Sequence, residues 1–271
     1  MSSTQRVIKS LAIGFGIFLI VIIISSIIGG LYGITSIFNF NKNEVIEKST
    51  NLLWSQSTEN INSLDIDINS SNLVIKSGNK FIIETNDKGI KYKTDDGKLK
   101  VEEKEHHFYS SKNKSEVIIT IPNDIKLDNI DIDTGAGTLN IESINTRELD
   151  IDLGAGTTLI NNIYSDITNI DTGAGTFTIK NGSINNLDLD IGMGEVNISS
   201  IITGNSSISS GIGKLSLNLL DTFDKYRFEV DKGIGKVTIN NIEVKDNSVV
   251  GEGYNIIKLN GGVGETTVTF R

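Results

Sequence analysis

Aspartates beside paired glycines are the residues of this sequence whose type and spacing could support chemistry. They lie two or four residues before the first glycine of a pair, and they are Asp131, Asp133, Asp150, Asp152, Asp171, Asp188, Asp190 and Asp231. Carboxylates can act in pairs in hydrolysis, or they can serve as hard oxygen ligands for Ca²⁺. Because the same two positions recur along the chain, the pattern favours a repeated acidic surface over a single catalytic pair.

Catalysis is the first alternative for these aspartates. Asp133 and Asp171 each begin an Asp-Thr-Gly triplet, a motif that aspartic proteases use in pairs that share a proton. The equivalent triplets in sibling repeats have other central residues, so the motif belongs to the repeat. A polysaccharide hydrolase with carboxylate pairs such as Asp150 and Asp152 on a β-solenoid is the enzymatic alternative. We predict that the protein is not an enzyme.

Paired glycines that flank one residue define a repeat between residues 129 and 270. The pairs are Gly135/Gly137, Gly154/Gly156, Gly173/Gly175, Gly192/Gly194, Gly211/Gly213, Gly233/Gly235 and Gly262/Gly264. The first five pairs start 19 residues apart, and the last two gaps are 22 and 29 residues. Apolar residues alternate with polar ones on both sides of each pair, which predicts two short strands per unit. The glycines are expected to form tight structural corners between these strands.

Stacking of these units predicts an all-β fold, a β-solenoid of ~19-residue two-strand coils with Gly-x-Gly corners. Equivalent strands would pair in parallel, and equivalent apolar residues would form buried rows. In the alternative, a meander, each Gly-x-Gly is the turn of an antiparallel hairpin. A similar strand at residues 64–68 is followed by Asn69, Ser70 and Ser71 in place of the glycine motif, which predicts a degenerate first unit. The polar segment from Glu102 to Ser115 is expected to be an exposed loop.

Four segments are predicted along the chain. Residues 1–9 form a cytoplasmic tail, residues 10–40 a transmembrane helix, residues 41–60 a linker or short amphipathic helix, and residues 61–271 the solenoid. No charged residue lies between positions 11 and 40, and about 20 apolar residues are enough to cross a bilayer. A cleaved signal peptide is the alternative. A short tail before the first span normally stays inside, so we predict a single-pass membrane protein with an extracytoplasmic solenoid.

The formal net charge of −9 restricts the class of partner. An acidic domain lacks the basic surface that nucleic acids require. It favours a cationic protein or polymer of the cell envelope, or metal ions. The chain contains no cysteine, which excludes disulfides and thiolate metal sites. The adjacent histidines His106 and His107 are weak candidates for metal ligands.

Stacked carboxylates about 4.8 Å apart would repel one another by about 1 kcal/mol per neighbouring pair even in water. Bound Ca²⁺ would offset this repulsion, and it is the one cofactor hypothesis that the sequence suggests. In the alternative, which we favour, the aspartate two residues before the glycine accepts hydrogen bonds from the N–H groups of its own corner. The other row of carboxylates would then be solvated.

From residue 117 onward the sequence resembles a family of bacterial cell-envelope proteins. The resemblance lies in the strand Val117–Pro122 and in the unit Asp131–Ile141, whose acidic strand leads into Thr-Gly-Ala-Gly and a second alternating strand. Similar units extend over residues 61–271. The family is the toastrack-type group of candidate adhesins of unknown function. The resemblance implies a β-solenoid-like, non-enzymatic domain at the cell surface, in some relatives tied to adhesion or envelope-stress signalling.

Together these patterns predict a membrane-anchored, extracytoplasmic β-solenoid that acts by binding, as an adhesin, a scaffold or an envelope-stress component. A self-assembling structural protein is a further alternative. Residues 267–271 still follow a strand pattern and show no polar cap, which predicts self-association through the solenoid ends.

Overall fold

β-Strands provide nearly all the regular structure of residues 54–58, 60–104 and 115–271, which are the residues that the computed structural model describes. The strands are β1 (Trp54–Thr58), β2 (Ser63–Ile68), β3 (Asn72–Gly78), β4 (Phe81–Thr85), β5 (Ile90–Asp95), β6 (Lys98–Glu103), β7 (Glu116–Pro122), β8 (Leu127–Ile179), β9 (Gly182–Asn185), β10 (Leu187–Thr203), β11 (Asn205–Leu219), β12 (Tyr226–Asp231), β13 (Ile234–Ile239), β14 (Ile242–Glu243), β15 (Ser248–Val250), β16 (Asn255–Asn260) and β17 (Val263–Phe270). A short 3-10 helix, Phe223–Lys225, precedes β12.

The predicted transmembrane helix at residues 10–40 and the predicted tail at residues 1–9 lie outside the described residues. Within the described ranges, no helix has the length and apolar character needed to cross a bilayer.

Equivalent segments of successive repeats pair in parallel and in register. Gly194 in β10 faces Gly175 in β8 on one side and Gly213 in β11 on the other. β11 continues the parallel stack by pairing with β16 and β17. The predicted all-β solenoid is therefore confirmed. The antiparallel meander is wrong, because the glycine pairs face glycine pairs of neighbouring coils.

Apolar residues of the first strand in each repeat form a continuous buried row. In stacking order the row contains Ile66, Ile132, Ile151, Ile170, Leu189, Ile208, Leu259 and Val230, all at most 4% exposed. Full burial of one such side chain stabilises the fold by roughly 1.5–3 kcal/mol. Contacts between neighbouring coils therefore contribute strongly to the stability of the solenoid.

A third short strand closes the coils at the centre of the stack, whereas the sequence predicted two strands per coil. β9 pairs in parallel with residues 163–165 of β8 and with residues 201–203 of β10. Its Ile184 is fully buried. The sequence signal was weak because Ser165, a buried polar residue, occupies the equivalent position one coil earlier.

The coils at both ends are stacked out of sequence order. The unit formed by β16 and β17 lies between β11 and the unit formed by β12 and β13. At the other end, β2 and β3 lie between the outermost unit, β6 and β7, and the start of β8. Residues 69–71 stand opposite the first glycine motif, since Ile68 faces Thr134 and Leu73 faces Leu139, which confirms the degenerate unit.

Antiparallel strands cover the outermost coils. β4 and β5 pair with β7 and β6 at one end, and β15 and β14 pair with β12 and β13 at the other. Because β17 lies inside the stack, the strand pattern of residues 267–271 is not an uncapped end. End-to-end association therefore stays a prediction, without support from this segment.

The segment before the predicted solenoid also joins the sheet. Trp54–Thr58 forms β1 and pairs antiparallel with β4, whereas a linker or short amphipathic helix was predicted for residues 41–60. The exposed edge of β4 supplies backbone hydrogen bonds that a reading of the local sequence cannot anticipate.

Glu103 ends the stack of corners at the outermost coil. Its carboxylate accepts hydrogen bonds from the Ser70 N–H at 2.8 Å and the Ser70 hydroxyl at 2.7 Å. One coil further on, Ala136 donates its N–H to the carbonyl of Asn69 at 2.7 Å. Glu103 thus replaces the carbonyl that a further coil would supply. It is 7% exposed, so the prediction that an exposed loop starts at Glu102 is wrong for this residue.

Candidate functional site

Two rows of polar side chains run along one outer face of the solenoid. We name them by their distance from the glycine corner. The corner-proximal row contains, in stacking order, Glu102, Asp67, Asp133, Asp152, Asp171, Asp190, Ser209, Asn260 and Asp231. The corner-distal row contains Lys100, Asp65, Asp131, Asp150, Asn169, Asp188, Ser207, Lys258 and Glu229. Strand alternation produces both rows, because every second residue of each first strand points outward.

The structure places all the predicted aspartates on these rows, but it does not bring all of them together. Asp231 is separated from Asp190 by Ser209 and Asn260, because its coil is outermost in the stack. Asp65 and Asp67 extend the rows in the other direction and were not among the predicted residues. The alternating strand at residues 64–68, which matches the later repeats, was the signal that could have identified them.

Seven aspartates form a segment without basic partners, which we call the acidic face. They are Asp131, Asp133, Asp150, Asp152, Asp171, Asp188 and Asp190. At the adjoining end, Lys98 pairs with Asp65 at 2.6 Å, and Lys100 pairs with Glu102 at 2.8 Å. Among the described residues, no Lys or Arg nitrogen lies within 4.0 Å of a carboxylate of the acidic face.

Proton affinities reflect the crowding of these carboxylates, although Lys98 and Lys100 partly lower the pKa of Asp131 at the edge of the acidic face. The pKa values of Asp131, Asp133, Asp150 and Asp171 are raised above the ordinary value, first by partial desolvation and then by neighbouring carboxylates. For Asp171, a hydrogen bond with the carboxyl group of Asp152 raises the pKa further. For these four aspartates, partial desolvation and then repulsion from neighbouring carboxylates therefore make the charged form less favourable than it is in water.

The corner N–H groups do not use these carboxylates, contrary to the alternative that we favoured from the sequence. Ala136 donates its N–H to Asn69, and Ile234 donates its N–H to the carbonyl of Gly262 at 2.8 Å, so the neighbouring coil supplies the acceptors. Hydrogen bonds from N–H groups to a carboxylate would lower its pKa. The pKa values of Asp133 and Asp171 move in the opposite direction.

We expect Asp171→Asn to raise the melting temperature at pH 7 by about 1–3 °C. A raised pKa means that the folded state binds the proton more tightly than the unfolded state does, so this carboxylate costs stability above its folded pKa. The gain should therefore shrink as the pH falls through the range in which the parent carboxylate takes up a proton. Thermal unfolding followed by circular dichroism from pH 4 to pH 8 measures the effect.

Asp166→Asn is the matched control, because Asp166 lies outside the acidic face and pairs with Lys126 at 2.6 Å. Its melting temperature should stay level or fall at pH 7. A pH-independent gain in the Asp171 variant would contradict the explanation by repulsion and desolvation.

The described residues form no prepared metal site, and two depressions at the glycine corners are small. No group of three or more His, Asp or Glu side chains is arranged to hold a metal ion among the described residues. The Ca²⁺ hypothesis thus gains no geometric support, and His106 and His107 lie outside those residues. Two depressions at the glycine corners have volumes of ≈ 30 and ≈ 10 Å³, far below the roughly 300 Å³ of a ligand pocket.

The glycine pairs determine how closely the coils can approach. Gly175 has a φ of 143°, and a Cβ at this position would lie 1.9 Å from the carbonyl oxygen of Gly156 in the preceding coil. Glycine is needed here because the space beside its Cα is filled by backbone of the neighbouring coil. These positions shape the corner that borders the acidic face.

The sequence predicted that Gly235 forms a corner between two strands, and this prediction is wrong. It is an exposed residue inside strand β13, and it pairs in parallel with Gly264 inside strand β17. Only the first glycines of these two pairs, Gly233 and Gly262, precede the strands. A Cβ on Gly235 would lie 1.9 Å from the carbonyl oxygen of Gly264. Gly235 is therefore needed for close approach of two coils, and it does not separate two strands.

The other predicted corner glycines also lie within continuous strands. Pairing between coils holds the backbone in the sheet on both sides of each pair, so the strand does not end where the sequence predicted a corner. These residues are Gly135, Gly137, Gly154, Gly156, Gly173 and Gly175 in β8, Gly192 and Gly194 in β10, and Gly211 and Gly213 in β11. We keep the name glycine corner for the seven pairs.

Parallel coils with an outward acidic face and a filled interior define a repetitive β-solenoid protein. The chain belongs to the Toastrack DUF4097 family, whose sequence model matches residues 61–247. This match confirms the resemblance seen in the sequence.

Solved structures of similar chains come from several bacteria. They include a candidate cell adhesion protein from Clostridium sporogenes, with 19% identity, a TM-score of 0.42, and coverage of 80% of this chain and 98% of that chain. A candidate adhesin from Bacteroides fragilis has 17% identity, a TM-score of 0.43, and coverage of 81% and 98%. A candidate lipid binding protein from Parabacteroides distasonis has 12% identity, a TM-score of 0.39, and coverage of 81% and 97%. No curated protein matches the chain.

Proposed function

We propose that this protein is a membrane-anchored, extracytoplasmic solenoid that binds a cationic partner through the acidic face. The observation that carries the proposal is the run of seven aspartates on four adjacent coils with no described basic group in ion-pair contact. A partner with a matching row of positive charges would relieve repulsion at several carboxylates at once.

An extended partner fits this surface better than a small molecule does. The acidic face spans four coils, about 14 Å along the stack at ~4.8 Å per coil, and it lies outside the two small depressions. A cationic segment of a cell-envelope protein or polymer could lie along both rows. Membership of a family of candidate adhesins agrees with a role as adhesin, scaffold or envelope-stress component.

Membrane anchoring is the second part of the proposal. It is supported by the uncharged, apolar segment at residues 10–40, which is long enough to cross a bilayer. Arg6 and Lys9 precede this segment and favour a cytoplasmic N-terminus. The acidic solenoid would then face the cell envelope.

Binding of the full chain to a fluorescent octalysine peptide tests the acidic face by fluorescence anisotropy. We expect an affinity that falls at least about tenfold between 50 and 300 mM salt, because several exposed charges act together. A triple variant, Asp133→Asn, Asp152→Asn and Asp171→Asn, should lose most of this affinity.

The control variant changes the net charge equally at exposed positions elsewhere, Asp96→Asn, Asp124→Asn and Glu252→Gln. It should bind octalysine nearly as well as the parent protein. Equal losses in the two triple variants, or binding that does not depend on salt, would show that the acidic face is not the binding surface.

A further inference from the structure

Apolar side chains lie along the glycine corner of four coils, exposed in three of them and half-buried in the fourth. In the first three regular coils the residue between the paired glycines is alanine, but in the next four, in stacking order, it is Met193, Ile212, Val263 and Ile234. Ile212 is 52% exposed, Val263 48% and Ile234 75%. We call these four residues the apolar ridge. Contiguous exposed apolar residues of this kind mark contact surfaces.

A ladder of alternating charges runs beside the apolar ridge. The residues that follow the second glycine are, in stacking order, Glu195, Lys214, Glu265 and Lys236, and all four are exposed. We call them the charge ladder. The same position holds threonine in the three coils whose corner residue is alanine. The apolar ridge and the charge ladder therefore begin at the same coil.

Contacts within the chain engage only part of the charge ladder, in which Glu195 accepts a hydrogen bond from the side-chain amide of Asn197 at 3.1 Å. Among the described side chains, neither Lys214 nor Glu265 forms an ion pair within 4.0 Å. Lys236 approaches Glu243 only to 4.0 Å. These charges are available to a partner outside the chain.

We propose that the apolar ridge and the charge ladder bind a second copy of this chain, packed antiparallel about a two-fold axis perpendicular to the solenoid axis. Reversing the order Glu-Lys-Glu-Lys places opposite charges face to face. Glu195 then stands opposite Lys236 of the second copy, and Lys214 stands opposite Glu265 of the second copy. This is the self-complementary pattern that a two-fold interface requires.

The apolar ridge obeys the same symmetry. Met193 would pack against Ile234 of the second copy, and Ile212 against Val263 of the second copy. Parallel alignment of the two ladders would place like charges opposite each other, so the charges select the antiparallel arrangement. The charge ladder has no net charge, which gives it no attraction for an anionic membrane.

The proposed dimer interface is short, and its small buried area limits the affinity between the two copies. Four coils span about 14 Å, so the buried area is smaller than the roughly 800 Å² per partner of a standard stable interface. The dimer should therefore depend on concentration. It would leave the acidic face of each copy accessible, so the proposal does not depend on the cationic partner.

Complementary charge reversal tests the arrangement. We expect Lys214→Glu alone and Glu265→Lys alone to weaken dimerisation at least about tenfold, because each places like charges in contact. An equimolar mixture of the two variants should recover the parent affinity, since each reversed residue then faces its opposite. Sedimentation velocity of the full chain in mild non-ionic detergent, from about 1 to 100 µM, measures this.

Circular dichroism verifies that both exposed-site variants fold, and the mixture provides a positive result that misfolding cannot mimic. A parent protein that stays monomeric at about 100 µM would overturn the proposal. Single variants that dimerise like the parent, or a mixture that does not recover, would also overturn it.

Disulfide cross-linking gives an independent readout, because the chain has no cysteine of its own. A mixture of Ile212→Cys and Val263→Cys chains should form cross-linked dimers under mild oxidation. Ala136→Cys, at an exposed corner outside the apolar ridge, should not cross-link. Equal cross-linking of the Ala136 variant would show that the chains associate through some other part.

Discussion

Gly175→Ala is expected to lower the free energy of unfolding by about 3–5 kcal/mol, enough to unfold many domains. The added Cβ would lie 1.9 Å from the carbonyl oxygen of Gly156, and backbone cannot move aside as a flexible side chain can. The φ of 143° adds strain of about 1–3 kcal/mol for a residue with a side chain. Urea denaturation followed by circular dichroism measures the loss.

Ala174→Ser provides the matched control in the same corner. Ala174 is exposed and immediately precedes Gly175, so the hydroxyl should change stability by less than about 0.5 kcal/mol. An unchanged unfolding midpoint in the Gly175 variant would mean that the coils do not approach as closely as described.

Deletion of one whole coil should be tolerated, whereas deletion of half a coil should abolish folding. Removing residues 155–173 joins Gly154 to Ala174 and restores the Gly-Ala-Gly corner with every buried row in register. Because stability in a stack comes from contacts between neighbours, this variant should unfold cooperatively within roughly 10 °C of the parent.

Removing only residues 155–163 joins Gly154 to Tyr164 and leaves one coil without its second strand. The buried rows of the coils on either side can then no longer align, so we expect no cooperative unfolding transition. Differential scanning calorimetry distinguishes the two outcomes. A nine-residue deletion that melts like the parent would contradict the stacked arrangement.

Much of this architecture could be predicted because its causes are local and repeated. The 19-residue period and the apolar alternation specify parallel coils, buried rows and the positions of the outward aspartates. The resemblance carried by Val117–Ile141 led to the correct family. Strand periodicity also places side chains on a face without any knowledge of the partner strand.

The features that could not be predicted depend on contacts between distant residues. The gaps of 22 and 29 residues depart from the 19-residue period, but they did not reveal that β16 and β17 enter the stack ahead of β12 and β13. Likewise, the acceptor for the Ala136 N–H is Asn69, a residue far away in sequence. Local reasoning assigned that hydrogen bond to an aspartate of the same repeat. It also placed Gly235 between strands, because its pairing with Gly264 cannot be read from either segment alone.

The inverted order of the last two coils has a consequence for biosynthesis. A ribosome releases β12 and β13 before β16 and β17, yet the earlier pair reaches the growing stack only through the later one. A nascent chain that stops near residue 250 lacks β16 and β17. It would leave β11 with an open edge, and the unit formed by β12 and β13 would have no parallel neighbour. Correct assembly at this end must therefore await translation of the final segment, and a truncated chain would expose an unpaired sheet edge.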